Sequence, residues 1–294
     1  MEQRNRTHGD FGKGSLTLVA TPIGNYDDIS VRALEVLKSA DLIAAEDTRV
    51  TIELLKHFGL GKPLESYHDH NRAEKGEKLI SLMLSGQRIA LVSDAGMPCI
   101  SDPGEMLVRA CIDNDIPVSV IPGANAALTA LSASGLDTAS FVFEGFLPVE
   151  NKPRQEQLES IQAEKRTVIL YEALHRLKRT LNDLRSSGLG LRRAVMAREL
   201  TKRYEEWLRM SVEDACDYYE QEQPRGEFVI VIEGQREFSM RCPPDPADIE
   251  EQARELMRSL LDQGLSLKEA ARQASVSGLM KKNDFYKLGL DLQS

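Results

Sequence analysis

The segment 93–98, with the sequence SDAGMP, has the residue types of a ligand-binding loop. It follows the apolar run 88–92, which is typical of a buried strand. Small residues and a glycine let main-chain N–H and C=O groups approach a ligand closely, and Asp94 could face a cationic or hydroxylated group. A similar segment, 101–104, follows at once. A single loop of this kind is more often a plain strand-to-helix turn, so the interpretation needs support from the rest of the chain.

That support comes from four further apolar runs that end in the same way. These runs and their loops are 16–20 into 21–25, 118–121 into 122–124, 141–143 into 144–146, and 168–170 into 171–175. In open α/β sheets, ligands bind at the carboxyl ends of the strands. Several specialised loops at such ends therefore predict one composite cleft.

The elements that position these loops alternate between strands and amphipathic helices. In the first half the predicted strands are 16–20, 41–45, 88–93 and 117–121, and the predicted helices are 29–38 and 73–85. This β-α repetition predicts a mostly parallel sheet. A small-residue helix over 124–134 could pack under a ligand, or it could simply press against a sheet.

The second half changes character after residue 136. Its predicted strands are 141–144, 166–171, 193–198 and 227–233, and its predicted helices are 153–163, 174–187 and 211–222. We therefore expect a flexible tail (1–14), two α/β domains (15–136 and 137–235), a proline-containing linker (236–246) and a C-terminal helical domain (247–294).

The C-terminal segment has the outline of a helix-turn-helix. Two helices are predicted over 246–263 and 279–290. Between them, another helix is predicted to begin at Ser266, which can form a capping box with Glu269. Between 264 and 290, five basic residues against two acidic ones leave a local charge of +3. That is a modest footprint for a polyanion, and a plain solvated helical cap is an equal alternative.

Composition excludes several classes of protein. The 294 residues carry a net charge of −9, which argues against indiscriminate polyanion binding by the whole surface. The four cysteines lack metal-ligand or disulfide spacing, and neither a membrane-spanning run nor a signal peptide is indicated, so we expect a cytoplasmic protein and no metal site. No dinucleotide-binding or P-loop fingerprint fits.

Seven motifs, in order along the chain, carry a resemblance to a known family. They are 21–25 (TPIGN), 44–49 (AAEDTR), 68–71 (HDHN), 93–96 (SDAG), 143–148 (FEGFLP), 197–202 (ARELTK) and 226–227 (GE). Together they resemble bacterial 16S rRNA cytidine 2′-O-methyltransferases of the ribosomal RNA small subunit methyltransferase I type, in the tetrapyrrole methylase superfamily. The match extends from about residue 15 to the C-terminus.

The resemblance implies a class III methyltransferase fold, in which two α/β domains hold S-adenosylmethionine in the cleft between them. It also implies a homodimer and, as methyl acceptor, the ribose of a decoding-centre cytidine in 16S rRNA of the small ribosomal subunit. The implied cofactor-binding residues are Pro22, Ile23, Gly24, Ser93, Asp94, Ala95, Gly96, Met97, Pro122, Gly123, Leu174, Arg198, Glu199 and Gly226. Two positions depart from the family pattern, since Met97 replaces a threonine and Ala124 replaces a proline.

A ribose hydroxyl is a weak nucleophile that gains from a group that accepts its proton. Within the matched motifs, Glu46, Asp47 and His68 are the candidates for this catalytic role. Glu46 and Asp47 stand beside Arg49, which could hold an RNA phosphate, although these three side chains could equally form a structural ion-pair and capping network. The predicted RNA-binding residues are Arg49, Asn71, Lys152, Arg154, His175, Arg176, Lys202, Lys281 and Lys282.

Two alternatives remain open from the sequence. The first is a small-molecule methyltransferase of the same superfamily that acts on a tetrapyrrole. The second is a non-catalytic RNA-binding assembly factor that kept the fold.

Overall fold

The computed structural model describes residues 14–243 and 245–293, and the chain divides into two compact units. The first unit ends at Gln235 and the second begins at Arg236. The first contains two five-stranded sheets with helices, and the second is helical. The predicted class, α/β with a C-terminal helical part, is therefore confirmed. The predicted tail lies outside the described residues except for Gly14.

The first sheet is parallel throughout, as the β-α repetition predicts. Its strands lie in the order β3-β2-β4-β1-β5. Their bounds are β1 (Ser15–Val19), β2 (Leu42–Ala45), β3 (Leu64–Ser66), β4 (Arg88–Val92) and β5 (Val118–Ile121). The sequence did not predict β3, which has three residues and too short a pattern to recognise.

Both faces of this sheet are covered by helices. These are α1 (Val31–Ser39), α2 (Thr48–His57), α3 (Arg72–Leu84) and α4 (Glu105–Asp113), whereas α5 (Ala126–Ser134), which follows β5 in the chain, packs on the second sheet. On one face, α1 buries Ala33 and Leu37. On the other, α3 and α4 bury Leu79 and Leu107. Burial on both faces explains why the strands of this sheet are almost continuously apolar.

The second sheet is mixed. Its strands are β6 (Phe141–Phe146), β7 (Thr167–Glu172), β8 (Arg193–Arg198), β9 (Glu206–Ser211) and β10 (Phe228–Ile232), in the order β6-β7-β10-β8-β9. Only β6 and β7 run parallel; the other pairs are antiparallel. The edge strand β9 was not predicted, because its sequence, EWLRMS, does not alternate between apolar and polar residues.

Helices cover this sheet from both halves of the chain. One face packs against α6 (Asn151–Ala163), α7 (Leu177–Leu184) and α8 (Val212–Gln221), the last opened by a capping box of Ser211 and Asp214. The other face packs against α5, through Ala127, Ala130 and Leu131. The small-residue helix therefore presses against a sheet, and in doing so it joins the two α/β halves.

The predicted helix over 174–187 is interrupted. Residues Leu174–Arg176 form a 3-10 turn before α7, and the π-helical turn Arg185–Leu189 after it contains Gly188 with φ +81°. A left-handed residue ends regular helix geometry.

The second unit is a three-helix cluster with its own core. It consists of α10 (Pro246–Asp262), α11 (Leu267–Ala274) and α12 (Lys282–Gln293), and the expected capping box of Ser266 and Glu269 opens α11. Ala253, Met257 and Phe285 are fully buried in this core. A seven-residue helix, α9 (Gln235–Arg241), occupies the first half of the predicted linker. In the described part of the chain, none of the helices has the length and apolarity needed to cross a membrane.

Candidate functional site

A cavity of about 360 Å³ lies where the carboxyl ends of the first sheet meet the second sheet. Loops that follow β1, β2 and β4 provide one wall, and the start of α5 closes it. Strands β6, β7, β8 and β10 provide the other wall. Eight of the residues singled out from the sequence line it: Ile23, Glu46, Asp94, Ala95, Gly96, Met97, Glu199 and Lys202. The composite cleft predicted from the strand-end loops is therefore present.

The loops after β1 and β4 are tied to each other. Thr21 and Gly96 exchange two main-chain hydrogen bonds, with N–O distances of 2.9 and 3.1 Å. The Thr21 hydroxyl also donates to the carbonyl oxygen of Ser93 at 3.2 Å. Pro22 is buried behind Ile23, which lines the cavity. These bonds fix the main chain of both loops before any ligand arrives.

Two glycines let the second wall approach closely. A Cβ at Gly24 would lie 2.5 Å from Cγ of Lys202, and a Cβ at Gly226 would lie 2.5 Å from Cγ of Glu199. Glu199 accepts hydrogen bonds from Lys202 Nζ at 2.9 Å and from the N–H of Glu227 at 3.1 Å. Burial raises the pKa of Glu199, but these bonds outweigh burial and the net shift is downward. Glu199 is therefore an ionised carboxylate at the cavity wall.

Eight of the fourteen predicted cofactor-binding residues do not line the cavity: Pro22, Gly24, Ser93, Pro122, Gly123, Leu174, Arg198 and Gly226. Pro122 and Gly123 follow β5 directly, and a Cβ at Gly123 would lie 2.7 Å from that of Ala20, the residue after β1. Leu174 is exposed beside the cavity. Arg198 forms an ion pair with Glu206 at 2.9 Å. Residues close to them in sequence line the cavity instead: Asn125, Ala126, Ala173 and Ala197.

Three carboxyl groups face the cavity from the first sheet: Glu46, Asp94 and Asp102. Burial raises the pKa of all three. The negative charge of Asp94 raises the pKa of Glu46 further, and Glu46 in turn helps burial to raise the pKa of Asp102 to about 7. A group with this pKa can exchange a proton at neutral pH.

Asp102 stands on a strained loop. Cys99 and Ser101 precede it with φ angles of +69° and +63°, which non-glycine residues rarely adopt. Such residues cost about 1–3 kcal/mol each and cluster at functional sites. The sequence of the segment 101–104 resembles a ligand-binding loop, but nothing in the residue pattern distinguishes Asp102 from other carboxyl groups in loops.

Asp47 and His68, the other two proposed catalytic residues, lie outside the cavity. Asp47 caps α2 by accepting from the N–H of Arg49 at 2.8 Å, and it pairs with the Arg49 guanidinium at 2.5 Å. That hydrogen bond lowers the pKa of Asp47 to about 2. The N–H of His68 donates to the side chain of Asn71 at 2.9 Å, and Asn71 donates to the carbonyl of Ser66 at 3.1 Å. These side chains organise their own loops.

Two of the predicted RNA-binding residues, the buried Arg154 and the partly exposed Arg176, form ion pairs within the protein. Arg154 is 2% exposed, and it pairs with Asp183 at 2.7 Å and donates to Thr180 at 2.8 Å. Arg176 lies 3.5 Å from the fully buried carboxylate of Glu172. The prediction that Arg154 contacts RNA is therefore wrong, because its donors are already used.

Other predicted RNA-binding residues are open to solvent. Arg49 has a side chain 88% exposed despite its ion pair, which leaves part of its guanidinium accessible. Lys152 and His175 are exposed near the second sheet, and Lys281 and Lys282 are exposed on the second unit.

A second cavity, of about 500 Å³, lies beside α1 and the edge strand β5. It contains none of the predicted site residues and opens near the amino ends of β1 and β4, at Ser15 and Arg88. Ligands of open α/β sheets bind at the opposite ends. Among the described residues, no group of three or more His, Cys, Asp or Glu side chains is placed to hold a metal ion.

Several cavity residues escaped sequence reasoning. They include Ile100, Phe228 and Val229. Phe228 and Val229 belong to a strand, where an apolar residue at the wall of a ligand site has the same pattern as one in the core.

Comparisons with known proteins agree with this geometry. The family described as Tetrapyrrole (Corrin/Porphyrin) Methylases matches residues 15–216. A relative from Synechocystis, named Ribosomal RNA small subunit methyltransferase I, is 48% identical over 96% of this chain and 99% of its own. The relative of the same name from Escherichia coli O157:H7 is 45% identical, with 97% of each chain covered.

Solved structures share the fold at low identity. A cobalt precorrin-4 methyltransferase is 18% identical with a TM-score of 0.58, covering 74% of this chain and 94% of its own. A diphthine synthase is 18% identical with a TM-score of 0.59, covering 75% and 90%. A uroporphyrin-III C-methyltransferase from Thermus thermophilus, solved with S-adenosyl homocysteine, is 16% identical with a TM-score of 0.55, covering 75% and 97%.

Proposed function

The chain belongs to the tetrapyrrole methylase family, together with the ribosomal RNA small subunit methyltransferase I relatives, and from this premise we propose that it methylates the ribose 2′-hydroxyl of a cytidine in 16S rRNA. Family membership confirms two predictions, that the protein is a methyltransferase and that S-adenosylmethionine is its methyl donor. The acceptor, a decoding-centre cytidine of the small ribosomal subunit, is our proposal.

The observation that carries the proposal is the 360 Å³ cavity and its fit to the donor. Ala95 and Met97 of the 93–97 loop line it, so their main-chain groups can face a ligand, and Gly226 lets the chain before β10 lie directly against Glu199. The donor carries positive charge at its sulfonium and amino groups, which the ionised Glu199 and the partly buried Asp94 complement. We propose that these loops hold S-adenosylmethionine, which supplies an activated methyl group when bound.

The chain's own contribution to the reaction is then alignment, exclusion of water and acceptance of a proton. Transfer from a sulfonium has a neutral leaving group, so holding the acceptor oxygen in line accounts for much of the rate. The 2′-hydroxyl must lose its proton as the bond to carbon forms. Asp102 and Glu46 both line the cavity, and we propose that Asp102 accepts this proton while the charge of Glu46 keeps its pKa high.

We propose that the target nucleotide leaves its helical stack. Splaying it outward would let its 2′-hydroxyl enter the cavity at the loops after β1 and β4. The exposed side chains of Arg49, Lys152 and His175 are suited to hold the flanking phosphates.

Isotope labelling tests the proposal. The protein is incubated with tritiated S-adenosylmethionine and small ribosomal subunits that lack this methylation, and the label is mapped to a base or a ribose. Label on the ribose of one cytidine is expected. Label on a base would overturn the assignment, and donor binding without any label would favour a tetrapyrrole acceptor or a non-catalytic role.

We also propose that the protein acts as a homodimer in the cytoplasm, as the family resemblance implies. Light scattering coupled to size-exclusion chromatography should give twice the 32.8 kDa chain mass. A monomer at the concentrations used for catalysis would contradict the dimer.

A further inference from the structure

Phe146 is an exposed aromatic residue in the cavity wall. Its relative exposure is 48%, whereas Phe228, another aromatic ring of the same cavity, is 3% exposed. Ile100, from the opposite wall, is also exposed, at 42%. Leaving large apolar surface in water is unfavourable, and its position in a ligand cavity indicates a partner that covers it.

A β-bulge aims Phe146 at the cavity. In the pairing of β6 with β7, Phe143 lies opposite Ile169, but the next matched pairs are Gly145 with Leu170 and Phe146 with Tyr171. Glu144 is thus an extra residue, and Gly145 has φ +64°. Simple alternation would turn Phe146 to the face opposite Phe143. The bulge instead returns it to the face that carries Tyr171, and bulges beside active sites commonly redirect a side chain in this way.

Two arginines, the buried Arg154 and the partly exposed Arg176, hold the chain that follows Phe146 in place. Arg176 donates to the carbonyl oxygen of Leu147, and Arg154 donates to that of Pro148 at 3.2 Å. Both guanidinium groups connect to Glu172, Arg176 directly and Arg154 through Thr180. The ring of Tyr171 meets Phe146 edge to face, with centroids 5.7 Å apart. Phe146 is therefore exposed and yet held in place.

Rigid exposed aromatic side chains are the means by which proteins hold unstacked nucleobases. The base loses its stacking neighbours when it leaves the RNA, and an aromatic face replaces part of that energy for any base. The donor is a small molecule, and a binding site normally buries 70–90% or more of the surface of such a ligand. The buried part of the wall, at Phe228 and Val229, suits the donor, whereas the half-exposed ring of Phe146 suits a group that arrives from solvent.

We propose that Phe146 is the stacking platform for the base of the nucleotide whose ribose is methylated, with Ile100 as a second apolar wall. This inference rests on the proposed function, because it presumes a splayed-out nucleotide as acceptor. It assigns the binding of the target base to the FEGFLP segment, residues 143–148.

Three variants test the platform: Phe146→Ala, Phe146→Trp and, as a matched control, Phe141→Ala. Phe141 begins the same strand, is 37% exposed and lies outside the cavity. The measurements are the KM for small ribosomal subunits, the kcat, and the donor dissociation constant by calorimetry. Phe146→Ala should raise the KM by a factor on the order of 5 to 150, the effect of losing one base–aromatic stack, with the donor constant unchanged. Phe146→Trp should restore the KM, and Phe141→Ala should leave it unchanged.

The outcomes separate this inference from the proposed function. Ribose labelling by the wild type together with an unchanged KM for Phe146→Ala would overturn the platform alone. A weakened donor constant with an unchanged KM would assign Phe146 to the donor and likewise overturn it. Absence of ribose label with the wild type would overturn the proposed function and the platform with it.

Discussion

Single residues of the cavity determine how the reaction should depend on pH. Burial and the charge of Glu46 raise the pKa of Asp102 to about 7, while a hydrogen bond from Ser93 opposes them and the charge of Asp94 adds to them. Only the ionised form accepts a proton, so kcat/KM should rise as pH increases through about 7. Asp102→Asn should lower kcat by roughly 100-fold or more. A pH profile of kcat/KM and single-turnover rates measure both effects.

Glu46→Gln provides the control for that prediction. Removing its negative charge lowers the pKa of Asp102, so the rising limb of the profile should move to lower pH. A limb that stays in place in Glu46→Gln, or one that persists in Asp102→Asn, would show that another group accepts the proton. The donor dissociation constant of Asp102→Asn shows whether the variant still binds the cofactor.

The buried guanidinium of Arg154 should matter for stability far more than its exposed neighbour. Arg154 and Arg179 both approach the carboxylate of Asp183, at 2.7 and 3.7 Å, but their side chains are 3% and 50% exposed. Arg154→Met removes the hydrogen bonds to Thr180 and to the main-chain carbonyl of Pro148, and it removes the buried partner of Asp183. It should lower the free energy of unfolding by about 3–5 kcal/mol, and Arg179→Met by less than about 1 kcal/mol. Urea denaturation measures both, and equal effects would contradict the structural role of Arg154.

At the scale of elements, the contact between the loop before β10 and the loop after β8 can be tested with a pair of glycines. Gly226 and Gly135 have nearly the same φ, +82° and +81°, so alanine strains the main chain equally. A Cβ would meet Glu199 at 2.5 Å in the first case and open space in the second. Gly226→Ala should therefore be about 1–3 kcal/mol more destabilising than Gly135→Ala. It should also weaken donor binding in calorimetry, whereas unchanged binding would remove Glu199 from the donor site.

The elements also show where sequence patterns are informative. The parallel first sheet was predictable, because its strands are buried on both faces and alternate with amphipathic helices. The short β3 and the edge strand β9 lack any regular pattern, and the bulge at Glu144 leaves no trace in the pattern of residue types. A local pattern records burial, but it does not record which way a bulge turns the next side chain.

At the scale of the whole molecule, the cavity joins residues that are far apart in the sequence, from Ile23 to Val229. Loops with small residues at strand ends, such as 93–97, were predictable one by one. The partners of Arg154 and Arg176 were not, because a charged residue in an amphipathic helix has the same pattern whether it faces solvent or a buried carboxylate. Motif resemblance identified the family, and only packing could assign each motif residue its contacts.

The overall charge of −9 makes the position of basic residues decisive for binding a polyanion. Lys281 and Lys282 are exposed on the second unit, whereas the residues that line the cavity all belong to the first. If both lysines contact RNA phosphates, the Lys281→Ala, Lys282→Ala double variant should reduce the slope of log affinity against log salt by about 2, without changing donor affinity. Lys38→Ala, an exposed change on α1, should leave the slope unchanged. Filter binding to small ribosomal subunits at several salt concentrations measures the slope. An unchanged slope in the double variant would show that Lys281 and Lys282 do not contact phosphates. Phosphate binding would then fall to other cations, such as those around Arg49 and Lys152.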